Sequence, residues 1–266
     1  MSYHSIVLER TNPVWIIKLN SPENENKLTI SGMQELTSVF KEAETSRSCK
    51  AVVLAAEGEL FCGGGALGDF RQQDSMAIVE FSKSFIDLHT TIYALSKLVI
   101  AAVCGEVKGG GFNLVEVCDL AVAADNATFA IPEILAGLAP MLALVGVTQV
   151  YPRKKVMELA LLGESIDAKE AQNIGLVNWV VKQEDVLASA CQVAQRLAVK
   201  NPTSIKLCKK LYADLNLSAY TQHLEVAAPL LVTMLKSKDA QEALDAKEQQ
   251  REPVWSNSES DTQVLS

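Results

Sequence analysis

Two glycine-rich turns contain the residues of this sequence whose types and spacing could do chemistry. Residues 109–111 are three consecutive glycines between an apolar run at 98–104, which predicts a buried strand, and a segment with apolar residues at helical spacing. Glycines at a strand-to-helix turn can aim backbone N–H groups at an anion. A second cluster, 63–65, follows the apolar run 51–55. Two such turns predict a two-donor oxyanion hole, although each cluster alone could be only a tight turn.

The elements that must position these turns alternate between strand and helix. Strands are predicted at 5–9, 14–20, 51–55, 98–104 and 120–124, with further strand signal at 128–133 and 177–181, and helices from residue 31 and over 77–95. From residue 184 onward the pattern is almost wholly helical, with helices predicted over 184–199, 202–214, 217–235 and 239–249. The sequence therefore predicts an α/β fold that ends in an all-α region, followed by a polar, disordered tail over 256–266.

The composition excludes several classes of partner. A chain of 266 residues with 48% hydrophobic content can bury a substantial core. The net charge of -8 argues against nucleic acid and against an anionic membrane surface, which leaves small molecules and proteins. The longest mostly apolar stretch, 135–147, is interrupted by glycine and proline, and it is shorter than the roughly 20 residues that span a bilayer. Because the first ten residues also lack a signal-peptide pattern, we expect a cytoplasmic protein.

The six cysteines and three histidines show no metal-ligand spacing. The cysteines are scattered without a Cys-x-x-Cys pair, so reduced and mostly buried thiols are expected. His89 lies on the predicted helix 77–95 and has no carboxylate near it in sequence, which favours a structural role. The sequence therefore predicts no metal site.

Six segments, in order and spacing, resemble the crotonase family, which is the enoyl-CoA hydratase and isomerase superfamily. They are residues 61–66, 101–111, 118–124, 129–133, 162–171 and 175–178, and the resemblance extends from about residue 6 to residue 255. It implies a crotonase-like ββα superhelix over 1–200, with two roughly perpendicular sheets. It also implies a C-terminal helical region over 201–255 that usually mediates homotrimers or dimers of trimers.

The resemblance further implies an acyl-CoA or carrier-protein thioester as substrate, with no separate cofactor because coenzyme A is part of that substrate. By position, the amides of Gly65 and Gly110 would hold the thioester oxygen, and the helix that begins at Gly110 would add its N-terminal partial charge. The positions expected along the substrate are Cys62, Gly63, Ala66, Leu67, Gly109, Asn113, Pro140 and Met141.

The side chains that would move protons depart from the hydratase pattern. Hydratases of this family use two glutamates to hold and activate water, and the matching positions here are Asn113 and Glu133. An amide cannot serve as a general base near neutral pH. Bulky apolar residues at 141–145 also follow Pro140, where hydratases usually carry a glycine pair. A lone carboxylate in a drier pocket matches the Δ3,Δ2-enoyl-CoA isomerases, in which Glu133 would carry a proton from C2 to C4 with its pKa raised by apolar surroundings.

Other readings of the same residues remain open. Glu133 could instead be a helix-start carboxylate, and Glu116 could replace the missing acid if its helix were displaced. Cys62 is expected to be a buried thiol rather than a nucleophile. The chain could also be hydratase-like, a lyase, decarboxylase or hydrolase of a biosynthetic pathway, or a catalytically weak acyl-CoA-binding protein.

Overall fold

The computed structural model describes residues 3–256, which form a mixed α/β fold. Its strands are β1 (Ile6–Thr11), β2 (Val14–Leu19), β3 (Ala51–Ala56), β4 (Leu98–Val103), β5 (Glu106–Lys108), β6 (Leu120–Ala124), β7 (Thr128–Ala130), β8 (Ile166–Asp167) and β9 (Trp179–Val181). Its α-helices are α1 (Ile30–Thr45), α2 (Ser75–Ala94), α3 (Gly110–Glu116), α4 (Met141–Val150), α5 (Arg153–Leu162), α6 (Ala168–Asn173), α7 (Val186–Ala198), α8 (Pro202–Leu235) and α9 (Lys238–Glu248).

The strands form two sheets. The larger sheet has the order β1-β2-β3-β4-β6-β9, in which β1 and β2 are antiparallel and the other neighbours are parallel. Its central strands are apolar along their whole length because both faces are covered, and α7 packs against β2, β3, β4 and β6. The smaller sheet has the order β5-β7-β8, with β7 parallel to β5. The α/β fold predicted from the sequence is confirmed.

The C-terminal part of the chain is helical, as predicted, but its long helix is continuous. The prediction of separate helices over 202–214 and 217–235 is wrong, because α8 runs unbroken from Pro202 to Leu235. Asn216 lies where the break was expected, and its Nδ2 donates a hydrogen bond to the Tyr212 carbonyl, 2.8 Å away. The polar side chain is thus satisfied within the helix instead of ending it.

α8 connects the C-terminal region to the rest of the fold by packing along α2 and α4. Within the described residues, no helix is both long and apolar enough to cross a membrane. The predicted tail, 256–266, lies outside the described residues from position 257 onward. The division into 1–200 and 201–255 and the trimeric assembly stay predictions.

Candidate active site

The two glycine-rich turns meet beside the smaller sheet. Cys62 pairs with Val107 of β5, and Gly65 pairs with Leu28, so the first turn runs alongside the strand that leads into α3. A Cβ on Gly110 would lie only 3.7 Å from the amide nitrogen of Gly65. Neither the Gly65 nor the Gly110 amide donates a hydrogen bond to any acceptor in the part of the chain that the structure describes. Two neighbouring donors are therefore available to a ligand oxygen.

The parallel pairing of β5 and β7 positions Glu133 next to these donors. Lys108 at the end of β5 pairs with Ala130 at the end of β7, so the chain leaves both strands at the same edge. β5 continues into α3, and β7 continues into a short 3-10 turn, Pro132–Ala136, in which Glu133 is the second residue. Between them, Gly109 adopts φ +49°, and a Cβ there would lie 2.6 Å from Oε1 of Glu133. Only glycine allows the carboxylate to lie this close to the turn.

Gly65, Gly110 and Glu133 line one cavity of about 60 Å³. Three of the residues that the sequence placed along the substrate, Leu67, Pro140 and Met141, also line it. The rest of its wall is apolar and consists of Phe81, Phe85, Leu138, Ala139, Leu142, Ala143, Leu231 and Leu235. Glu133 is the one acidic side chain among the described residues of this lining, so it is the group available there to accept a proton.

Burial changes the acidity of Glu133. Its Oε2 atom is buried and has no hydrogen-bond partner among the described residues. Since burial disfavours the charged form, it raises the pKa of Glu133 to about 7. A carboxyl group with this pKa can both accept and return a proton near neutral pH.

Asn113 is placed away from this cavity. It is fully buried, and its Nδ2 donates a hydrogen bond to the carbonyl of Ala143 on α4, 3.1 Å away. Glu116 lies one turn further along α3 and lines a different cavity, so in this conformation it does not supply a second acid beside Glu133. A substrate contact by Asn113 stays a prediction.

The remaining predicted positions shape the first turn rather than the cavity wall. Cys62 is fully buried against Gly111, and a Cβ built on Gly111 would lie 2.7 Å from the Cβ of Cys62. Burial raises the pKa of the Cys62 thiol to about 12. Gly63 packs against Glu25, and the amide of Ala66 donates to the Leu28 carbonyl, 2.9 Å away. A thiol with this pKa is a poor nucleophile, as expected for a buried structural cysteine.

The C-terminal helices form part of the cavity wall and also contact the loop that follows Gly65. Leu231 and Leu235 of α8 form part of the wall, and Nζ of Lys236 donates to the carbonyl of Phe70 in that loop, 2.9 Å away. Arg71 in the same loop forms ion pairs with two acidic residues of α9, Asp245 and Glu248. These contacts were not expected from the sequence, because residues that line a cavity from a helix have the same spacing as core residues.

Within residues 3–256, no group of three or more His, Cys, Asp or Glu side chains comes together in a way that could hold a metal ion. His89 is fully buried, and its Nδ1 lies 2.8 Å from the carbonyl of Phe85. Burial lowers the pKa of its imidazole to about 4. His89 is therefore a neutral core residue, as its sequence context favoured.

Comparison with known proteins identifies the family. The family described as enoyl-CoA hydratase/isomerase matches residues 9–258 of this chain. A probable enoyl-CoA hydratase, echA8, of Mycobacterium bovis is 29% identical, and the alignment covers 97% of this chain and 100% of the relative. The mitochondrial enoyl-CoA hydratase domain-containing protein 3 of Rattus norvegicus is 31% identical and covers 91% of this chain and 81% of its own.

Solved structures give the same result. The crystal structure of carnitinyl-CoA hydratase from Mycobacterium avium superposes with a TM-score of 0.85 at 28% identity, and it covers 97% of this chain and 100% of its own. A fold shared over nearly the whole length supports the resemblance seen in the six sequence segments. The chain belongs to the enoyl-CoA hydratase/isomerase family of acyl-CoA enzymes.

Proposed function

We propose that this enzyme moves the double bond of a 3-enoyl-CoA to give the 2-enoyl-CoA, with Glu133 carrying the proton. One observation carries the proposal: the cavity next to the free amides of Gly65 and Gly110 has a single acidic side chain, Glu133, among its described lining residues. One base and an oxyanion hole are sufficient for migration of a double bond, whereas activation of water in this family uses two carboxylates.

The proton and electron movements follow from this arrangement. The Glu133 carboxylate removes a proton from C2, and the electron pair moves into the thioester carbonyl to give an enolate. The amides of Gly65 and Gly110 donate hydrogen bonds to its oxygen, and each donor contributes about 3 kcal/mol to a transition state of this kind. Glu133 then returns the proton to C4 as the carbonyl re-forms, which leaves the double bond between C2 and C3.

The apolar wall of the cavity supports a proton shuttle over hydration. Phe81, Phe85 and Met141 are among its lining residues, and they offer no hydrogen bond to a water molecule. Asn113, at the position of the first hydratase glutamate, is fully buried and hydrogen-bonded to Ala143. A water molecule in the cavity would therefore lack the second carboxylate that activates it.

The names of the relatives favour a second candidate, the hydration of a 2-enoyl-CoA, and one experiment separates the two. The purified protein is incubated with a 3-enoyl-CoA and, separately, with the matching 2-enoyl-CoA, and the products are identified by mass spectrometry and chromatography. We expect 2-enoyl-CoA from the first substrate and no 3-hydroxyacyl-CoA from the second. Hydration of the second substrate without isomerisation of the first would reject the proposal.

Isotope transfer tests the role of a single base more sharply. A 3-enoyl-CoA that carries deuterium at C2 is converted in ordinary water, and the product is examined by NMR. Because one carboxylate in a dry cavity both removes and returns the proton, part of the product should carry deuterium at C4. Absence of deuterium from C4, with the transferred deuterium lost to solvent, would contradict the shuttle, even if isomerisation itself were observed.

A further inference from the structure

A second and larger cavity, of about 400 Å³, lies at the far end of α3. α2 contributes Tyr93 to its wall, α3 contributes Glu116, and α8 contributes Lys209 and Tyr212. It shares no lining residue with the Glu133 cavity. Its volume lies within the range of about 300–1,000 Å³ that is usual for small-molecule sites.

Glu116 brings an unpaired acid to this cavity. Its Oε2 atom is buried and has no hydrogen-bond partner among the described residues. Gly146 of α4 provides the space, because a Cβ at that position would lie 2.4 Å from this oxygen. A buried carboxyl group without a partner destabilises a fold, so its presence calls for a function.

The cationic side chain in the cavity wall is already engaged elsewhere. Nζ of Lys209 lies 2.6 Å from Oδ2 of Asp119 and donates a second hydrogen bond to the Lys97 carbonyl, 2.8 Å away. Asp119 also accepts a hydrogen bond from the amide of Val99, so the pair is held in place on both sides. Lys209 therefore balances Asp119 and leaves Glu116 as the unbalanced acid of the cavity.

Aromatic rings line the same space. Tyr93 stacks on Tyr212 with ring centroids 5.9 Å apart, and Tyr151 contributes a third ring to the wall. Faces of aromatic rings attract organic cations, and buried carboxylates form charge-assisted hydrogen bonds with N–H donors. An ionised Glu116 would repel an anionic ligand, whereas an ammonium ion would supply both the positive charge and the N–H donors that its Oε2 atom lacks.

We propose that this cavity is a binding site for a small organic ammonium ion, with Glu116 as its ion-pair partner and the tyrosine rings around its alkyl part. The site is separate from the candidate active site, so the proposal does not depend on which reaction Glu133 performs. The proposed ammonium ligand belongs to a different chemical class from a CoA thioester.

The probe for the test is n-butylammonium, with n-butanol as a neutral analogue of the same length and sodium chloride at matched ionic strength as a salt control. Binding to the full-length protein is measured by isothermal titration calorimetry. We expect n-butylammonium to bind and n-butanol to bind at least roughly tenfold more weakly, as the loss of a charge-assisted hydrogen bond predicts.

Variants assign the binding to this cavity. Glu116→Gln should weaken n-butylammonium binding by roughly tenfold or more, since it removes the charge and keeps the shape. Tyr212→Ala, at a rim position that is 58% exposed and thus safe for folding, should weaken it roughly two- to fivefold through the lost ring. Glu184→Gln, at an exposed acid outside the cavity, should leave it unchanged.

Three results would overturn the proposal. They are equal binding of n-butylammonium and n-butanol, equal n-butylammonium binding by wild type and Glu116→Gln, and displacement of the probe by a long-chain acyl-CoA. The last result would place the acyl group of the substrate in this cavity.

Discussion

Replacement of Glu133 by glutamine separates proton transfer from substrate binding. Oε1 of Glu133 lies 2.6 Å from the position that a Cβ on Gly109 would take. Glutamine keeps the shape of this side chain against Gly109, but its amide cannot accept a proton. Removing a general base lowers turnover by about 10²–10⁴-fold. The amides of Gly65 and Gly110 and the apolar wall are unchanged, so kcat should fall by this factor while the Kd of a saturated acyl-CoA changes little.

The assay follows the conversion of a 3-enoyl-CoA by the absorbance of the conjugated product at saturating substrate, and calorimetry gives the Kd of the saturated analogue. Glu184→Gln, which changes an exposed acid that does not line the cavity, serves as the matched control and should retain wild-type kcat. A Glu133→Gln variant that keeps a tenth or more of wild-type kcat would refute the assignment of the base. A large loss of acyl-CoA affinity with kcat preserved would refute it equally, because Glu133 would then be a binding residue.

Further predictions concern pH, the turn and the second cavity. The pKa of Glu133 is raised to about 7, and its carboxylate must be ionised to accept a proton. We therefore expect kcat to fall about tenfold per pH unit below pH 7 and to level off above it. A flat profile of kcat from pH 5 to 8 would contradict this. Gly109→Ala places a Cβ 2.6 Å from Glu133 at φ +49°, so it should lower both kcat and, by about 1 kcal/mol or more, the free energy of unfolding in urea. Burial raises the pKa of Glu116 from 4.5 to about 7, so its ionisation opposes folding above pH 4.5. Glu116→Gln should therefore raise the free energy of unfolding by up to about 3 kcal/mol at pH 8 and by almost nothing at pH 4.5. An equal gain at both pH values would be inconsistent with burial as the cause.

The features that the sequence made predictable are those with local signals. The glycine turns stand out because each follows an apolar strand, and the structure brings Gly65 and Gly110 together with Glu133 at one cavity. The strands of the larger sheet were predictable for the same reason, since their buried residues form short apolar runs. The catalytic roles of these residues stay predictions, because proximity alone does not show chemistry.

Other features depend on tertiary contacts that no local pattern records. α4 (Met141–Val150) is apolar on nearly every side, so it shows no amphipathic period, and β5 and β8 are only three and two residues long. The continuity of α8 through Asn216, whose side chain bonds to the carbonyl of Tyr212, has no signal in the local sequence. The cavity of Glu116 is lined by residues of α2, α3 and α8 that are far apart in the sequence, and spacing on a single helix cannot show this.

The loop that follows Gly65 is bound to the C-terminal helices, and these contacts have a consequence for turnover. The cavity of about 60 Å³ is far smaller than the roughly 300 Å³ or more of ordinary small-molecule pockets, and Lys236 and Arg71 hold the neighbouring loop to α8 and α9. If the proposed substrate enters by separating these elements, part of its binding energy is used for that movement, and the same contacts must break again before the product leaves. In the proposed reaction, the opening of these contacts would then limit the rate of each turnover, however fast the proton transfer itself is.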